Sequence, residues 1–321
     1  MIKKKIKIYI AGHNGMVGRS VVKYFKKKNF GKLILIDRKK LDLENYNKVK
    51  KFLFRKKPDV IINCAGKVGG IMANYLYPAD FLNENILIQT NLIKCAFLIG
   101  VNNFINLGSS CIYPRNSKQP IKEEYILTKS LEKTNEAYAI AKIVGVKLCE
   151  YYNKQFKKEY FTLMPCNLYG PNDNFDIDKS HFIPALIKKI SQSKINNCKP
   201  IEIWGSGKPK REVMHVDDLA SAIYFITKLK INNNKKLTNL IRKNALINVG
   251  SGTELKISDY VKLIKKILKN NCNIFFNKKY PDGTPRKILN NSKISLLGWA
   301  PKISLNKGLN ETIKWYQKNS L

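Results

Sequence analysis

The chain has 321 residues and carries 59 Lys and Arg against 23 Asp and Glu, a formal net charge of +36. That length suits one large α/β domain, or a nucleotide-binding domain with a smaller partner, and needs no disulfide or metal staple to fold. Seven cysteines without a C-x-x-C pair point to reduced thiols and a cytoplasmic setting, three scattered histidines (His13, His181, His215) point to no metal site, and no run of about 18 apolar residues offers a membrane span.

The basic start, MIKKKIKIYIAG, mimics a signal peptide, but its apolar part is short, alternates and runs into a glycine loop, so it reads as a first strand. Lysines are spread over both ends, helices and loops such as KLKINNNKKL (228–237). With no basic arm and no nucleic-acid motif, they read as solvated surface rather than as a nucleic-acid footprint. They still raise the local concentration of anionic ligands.

In chain order, KIKIYIA (5–11) predicts a strand and VGRSVVKYFKKK (17–28) a helix. KLILID (32–37) predicts a strand, NYNKVKKFLFRKK (45–57) a helix, and DVIINCA (59–65) a strand. NENILIQTNLIKCAFLIG (83–100) predicts a helix and NFINLGS (103–109) a strand. A long helical pattern at 135–157 and the strand YFTLMP (160–165) complete the series. This rhythm argues for α/β architecture: a doubly wound parallel sheet of Rossmann type with right-handed crossovers. After Pro171 the periodicity breaks into polar loops, NDNFDIDKS, WGSGKPKRE and YPDGTPRK, where ligand contacts usually gather. The expected division is a cofactor domain over 1–165 and a smaller α/β substrate lobe over 166–321. Segments near 211–227 and 245–250 are expected to return to the first domain.

The loop AGHNGMVG sets Gly12, Gly15 and Gly18 between the first strand and the first helix. Gly12 allows a tight turn, Gly15 lets backbone approach a pyrophosphate, and Gly18 lets the helix pack close. The helix N-terminus then offers its positive dipole end to the phosphates. The second strand ends in Asp37 and Arg38. Asp37 suits a ribose 2′-hydroxyl and so NAD, whereas Arg38 suits a 2′-phosphate and so NADP; the residues alone leave both open.

YAIAK (138–142) puts Tyr138 and Lys142 one turn apart on a helix face. A phenol with a pKa of about 10 is a poor acid–base group at neutral pH, and a nearby ammonium is expected to lower it. Ser109, at the end of the fourth strand, supplies a hydroxyl where open α/β sheets place their ligands. Cys111, two residues on, is by itself either a packing thiol or a proton carrier.

Together these residues resemble the extended short-chain dehydrogenase/reductase family, whose members act on sugar nucleotides. AGHNGMVG, KVGGIMANYLYPADF (67–81), GSSCIYP, TNEAYAIAK (134–142), PCNLYGPNDNF (165–175), SHFIPALIKK (180–189), WGSGKPKREVMHVDD (204–218) and PDGTPRK (281–287) are similar to its GDP-L-fucose synthase branch. That branch takes GDP-4-keto-6-deoxy-D-mannose, inverts C3 and C5, and reduces C4 with NADPH. The resemblance implies catalytic roles for Ser109, Cys111 (base), Tyr138, Lys142 and His181 (acid). It sets Gly12, His13, Asn14, Gly15, Met16, Val17, Gly18, Arg38, Leu107, Gly108, Ser109, Ser110, Lys142, Pro165, Cys166, Asn167, Leu168 and His181 against NADP(H), and Lys189, Trp204, Arg211 and Asp282 against the GDP-sugar. His215 is expected to order the returning chain. The resemblance also implies a homodimer, built through two long helices of each protomer.

Three departures from that branch stand out. Asn14 replaces an Arg and Asp37 a neutral residue, which keeps NAD(H) in play; Ala137 replaces a proline before Tyr138. Among rivals, a 4,6-dehydratase wants an Asp-Glu pair where Cys111 and Ile112 stand, and a plain 4-epimerase needs neither Cys111 nor His181. A non-catalytic cofactor- or nucleic-acid-binding protein would not need Ser109, Tyr138 and Lys142 intact.

Overall fold

The computed structural model describes residues 5–176, 180–195, 198–280 and 282–320. The first half alternates strand and helix: β1 (Lys7–Ala11), α1 (Met16–Lys27), β2 (Lys32–Ile34), α2 (Tyr46–Lys56), β3 (Val60–Asn63), α3 (Ile71–Leu76), α4 (Pro78–Leu98), β4 (Asn103–Leu107), α5 (Glu136–Phe156) and β5 (Phe161–Pro165). β2 is shorter than its apolar run because the chain turns at Asp37, whose carbonyl accepts from Lys40 and Leu41. α4 starts before the predicted residue 83, at Pro78, whose missing N–H costs nothing in a first helical turn.

The second half contains β6 (Asn167–Tyr169), α6 (Phe182–Ile195), β7 (Ile201–Trp204), β8 (Lys210–His215), α7 (Val216–Ile231), α8 (Lys235–Lys243) and β9 (Leu246–Val249). It continues with β10 (Glu254–Lys256), α9 (Ile257–Leu268), β11 (Ile274–Asn277), β12 (Arg286–Lys287), α10 (Ser292–Leu296) and α11 (Leu305–Ser320).

Six parallel strands form the main sheet in the order β2-β1-β3-β4-β5-β9. β1 shows why it is sandwiched: Ile8 and Ile10 enter one core cluster, while Tyr9 and Ala11 enter the other. The order reverses between β1 and β3, which opens a crevice beyond their carboxyl ends. β9 closes the sheet beside β5, and α7 lies on α1, where Tyr224 packs against Tyr24, Phe25 and Phe30. His215 caps α7, its Nδ1 accepting from the Asp217 amide at 3.3 Å, as its expected ordering role requires.

β8 carries the second sheet, between β10 and β12, and its later residues pair with β6. β7 and β11 pair separately, against a third core that includes Ile187, Ile203, Tyr260, Ile264 and Leu309. One sequence expectation is corrected here. Cys198 and Cys272 form a disulfide across 74 residues, with Cα atoms 4.9 Å apart, so the thiols are not all reduced. Pairing of Ile201 with Ile274 brings the two cysteines together just outside the strands, a contact that local cysteine spacing does not reveal. Among the described residues no helix is long and apolar enough to cross a membrane, and no group of three or more His, Cys, Asp or Glu is placed to hold a metal ion.

Candidate active site

The glycine loop runs from β1 into α1. Gly12 has φ +73°, and a Cβ there would lie 2.7 Å from the Ala65 amide; a Cβ on Gly18 would strike the Gly12 carbonyl. Only glycine fits either place. A Cβ on Gly15 would meet nothing closer than the Gly12 carbonyl at 3.6 Å, so the cradle is open at that point. Gly15 donates to that carbonyl at 3.1 Å, and α1 begins at Met16 and Val17 with its first amides toward the loop. A groove continues past His13, Asn14 and Gly15 to Arg38, Asp42, Glu44, Lys67 and Glu84. A loop with glycines at its close approaches, set on a helix N-terminus with an adjoining groove, fits a dinucleotide.

At the end of β4, Leu107 leads through Gly108 to Ser109, and Ser110–Ile112 form one 3-10 turn that buries Cys111. The Ser109 hydroxyl acts on both Tyr138 and Cys111, favouring the ionised form of each. Tyr138 and Lys142 share the first turns of α5. The Lys142 ammonium lies 5.6 Å from the Tyr138 ring centre and donates to the Leu107 carbonyl at 3.1 Å. The Phe81 ring meets Tyr138 edge-on at 6.1 Å. Thus Ser109, Cys111, Tyr138 and Lys142 form one cluster. Pro165 ends β5 beside it, Cys166 donates its amide to the Val249 carbonyl, and Asn167 and Leu168 begin β6.

A buried amide relay sets the distance between β4 and α5. Asn63 donates to Asn106, Asn106 to Gln89, and Gln89 to the Ala141 carbonyl, at 2.9, 3.1 and 3.0 Å. α5 comes close enough for this because residue 145 is glycine. The signal for the relay lay in the asparagines that interrupt the apolar runs VIIN and NFINL.

Burial governs the electrostatics. It pushes the Tyr138 phenol up, and Cys111 pushes it further, while the Ser109 hydrogen bond pulls it down. The expected lowering by Lys142 does not win: the phenol keeps its proton and stands as a donor. Burial also lowers Lys142 to about 8. The Cys111 thiol is raised by burial, against the opposing pull of Lys287, Ser109 and Lys142. His181 keeps an exposed face, and desolvation by the surrounding protein and then Lys287 lower its pKa.

Lys287 was not singled out in the sequence, although PDGTPRK contains it. Its register partner across β12 and β8 is Arg211, and burial lowers its pKa to about 8. It interacts electrostatically with Cys111, His181 and Arg211, so one ammonium links the thiol to the imidazole.

Arg211 is fixed by Nη1, which donates to the carbonyls of Thr284 at 2.5 Å and Lys210 at 2.9 Å. Among the described residues Nη2 has no partner. Lys189 donates to the Glu202 carbonyl and lies 5.2 Å from the Trp204 ring centre. Tyr280, also unmarked in the sequence, stacks on Trp204 at 4.3 Å. Asp282 accepts from the amide and hydroxyl of Ser206, so its first role is to hold the turn after Trp204.

Comparison with known proteins agrees with this geometry. The model of the NAD dependent epimerase/dehydratase family matches residues 8–250. GDP-L-fucose synthase 1 of Arabidopsis thaliana is 44% identical over 99% of this chain and 95% of the relative. GDP-L-fucose synthase of Escherichia coli K12 is 42% identical over 98% of both. Among solved structures, GDP-mannoheptose C4 reductase from Campylobacter jejuni with NADP bound superposes with a TM-score of 0.86, at 36% identity, over 99% of this chain and all of that one. The chain therefore belongs to the NAD dependent epimerase/dehydratase family, in its GDP-L-fucose synthase branch.

Proposed function

We infer that the protein is a GDP-L-fucose synthase that inverts C3 and C5 of GDP-4-keto-6-deoxy-D-mannose and reduces C4, with NADPH as the reductant. The observation that carries the reading is the cluster of Ser109, Cys111, Tyr138 and Lys142, in which an acid, Tyr138, and a latent base, Cys111, are both influenced by one hydroxyl. Inversion next to a carbonyl needs a base at C3 and C5 and a hydrogen-bond donor at O4, because the C4 carbonyl acidifies those protons and carries the enolate charge.

The Ser109 hydroxyl and the Tyr138 phenol hold O4 of the sugar. Cys111 removes the proton from C3 and then from C5, as a thiolate favoured by Lys287 and Lys142. His181 returns a proton on the opposite face. The protonated Tyr138 then gives its proton to O4. When bound, the reduced nicotinamide supplies the hydride for C4. Lys142 anchors Tyr138's helix turn to the Leu107 carbonyl. Gly12 to Gly18 cradle the dinucleotide phosphates, and Leu107 to Ser110 and Pro165 to Leu168 border the nicotinamide. Arg211 grips the GDP diphosphate with the Nη2 left free by its backbone anchors. Lys189 and Trp204 border the nucleotide, and Asp282 orders the loop beneath them.

The active form is a homodimer, paired through α4 and α5, where Leu98, Tyr151 and Phe156 leave apolar surface exposed. Residues 1–165 act as the cofactor domain and the later half as the substrate lobe, with α7 and β9 serving the first.

The test supplies GDP-4-keto-6-deoxy-D-mannose and NADPH and identifies the sugar by NMR. GDP-L-fucose from the wild type, and its loss in Cys111→Ser with dinucleotide binding intact, supports the reading. Reduction without inversion, or wild-type rates in Cys111→Ser, overturns it.

A further inference from the structure

In a chain of net charge +36, the adenosine end of the cofactor groove is acidic. Three carboxylates line it, Asp42, Glu44 and Glu84, against two full cations, Arg38 and Lys67. Neither cation is free. Arg38 pairs with Glu44 at 3.1 Å and Glu84 at 3.7 Å, and Lys67 pairs with Glu84 at 2.5 Å and Asp80 at 2.9 Å.

Asp37 stands beside this lining as a fourth carboxylate, in contact with His13 and Asn14 of the groove. Its Oδ1 accepts from the Asn14 amide at 2.6 Å and lies 3.5 Å from His13 Nε2, so both polar side chains at the mouth of the glycine loop already face a negative charge. Its Oδ2 has no partner among the described residues, and the side chain is 55% exposed. A free carboxylate oxygen at that place accepts a ribose 2′-hydroxyl. A 2′-phosphate there meets the like charge of Asp37, while the two groove cations, Arg38 and Lys67, are already paired with carboxylates.

We propose that Asp37 is a specificity-determining residue that makes this groove take NADH alongside NADPH. The proposal rests on reading the groove as the dinucleotide site. It requires nothing of the GDP-sugar end.

The test is equilibrium binding of NADH and NADPH to the full-length protein, by quenching of tryptophan fluorescence, without sugar nucleotide. For the wild type the two dissociation constants are expected within about tenfold of each other. Asp37→Ser replaces the charged acceptor by a shorter neutral one and removes the repelling charge, so it weakens NADH and tightens NADPH, moving the ratio by about 30-fold or more toward NADPH. Glu84→Gln, which releases Arg38 and Lys67 from a shared partner, tightens NADPH alone. A wild type that prefers NADPH by more than about 100-fold, or an Asp37→Ser variant with an unchanged ratio, overturns the proposal. If both dinucleotides bind as expected but no GDP-sugar is turned over, the assignment of function falls and this inference stands.

Discussion

The hydroxyl of Ser109 couples the thiol of Cys111 to the reductive half of the site, because it acts on Tyr138 as well. It lowers both groups toward ionisation. Ser109→Ala is therefore expected to slow inversion and reduction together, by about 10²-fold or more in kcat, with little change in KM. Solvent deuterium uptake at C3 and C5 and hydride transfer to C4 measure the two steps separately. A loss confined to reduction would show that the thiol works independently of the serine.

Lys287 touches the pH dependence from two sides. Its charge favours the Cys111 thiolate, so removing it raises the thiol pKa. The same charge disfavours the His181 imidazolium, so removing it raises the imidazole pKa as well. In Lys287→Met both limbs of the pH profile of kcat/KM are expected to move to higher pH, and in Lys287→Arg both stay near their wild-type positions. A drop in rate with unmoved limbs would give Lys287 a binding role only.

Gly145 lies where α5 meets the amide relay. A methyl group there would enter the space of the Gln89 amide oxygen and the Asn106 amide nitrogen. Gly145→Ala must shift the helix or break the relay, leaving buried amides unpaired at roughly 1–3 kcal/mol. The outcome expected from urea unfolding is a lower midpoint, with a fall in activity as Tyr138 moves away from Ser109. An unchanged midpoint would mean that α5 can yield at no cost.

The Cys198–Cys272 bridge closes a loop of 74 residues. Chain-entropy estimates give such a loop about 4 kcal/mol, for a bridge that joins exposed Cys198 to Cys272 in the third core. Cys198→Ser is expected to lower the melting temperature under oxidising conditions and to match the wild type once both are treated with a reductant. Equal melting temperatures in both conditions would show that the bridge adds no stability.

The sequence by itself determined most of the first half of the molecule. Strand alternation and helical spacing are local properties, so the βαβ series, the glycine loop and the Tyr138–Lys142 spacing were all legible as strings. So was the position of Ser109 at a strand end, because in a parallel sheet the chain direction alone decides which end carries ligands. Tertiary structure decided the rest. No local pattern links Lys287 to Cys111, since β12 has two residues and reaches the site only through its register with β8. The commitment of Arg38 and Lys67 to Glu84 depends on α4 passing over the end of β2, and the disulfide on β7 meeting β11. The expected effect of Lys142 on Tyr138 failed for the same reason. The i, i+4 spacing fixes their proximity, but the depth at which α5 is buried sets the sign of the shift.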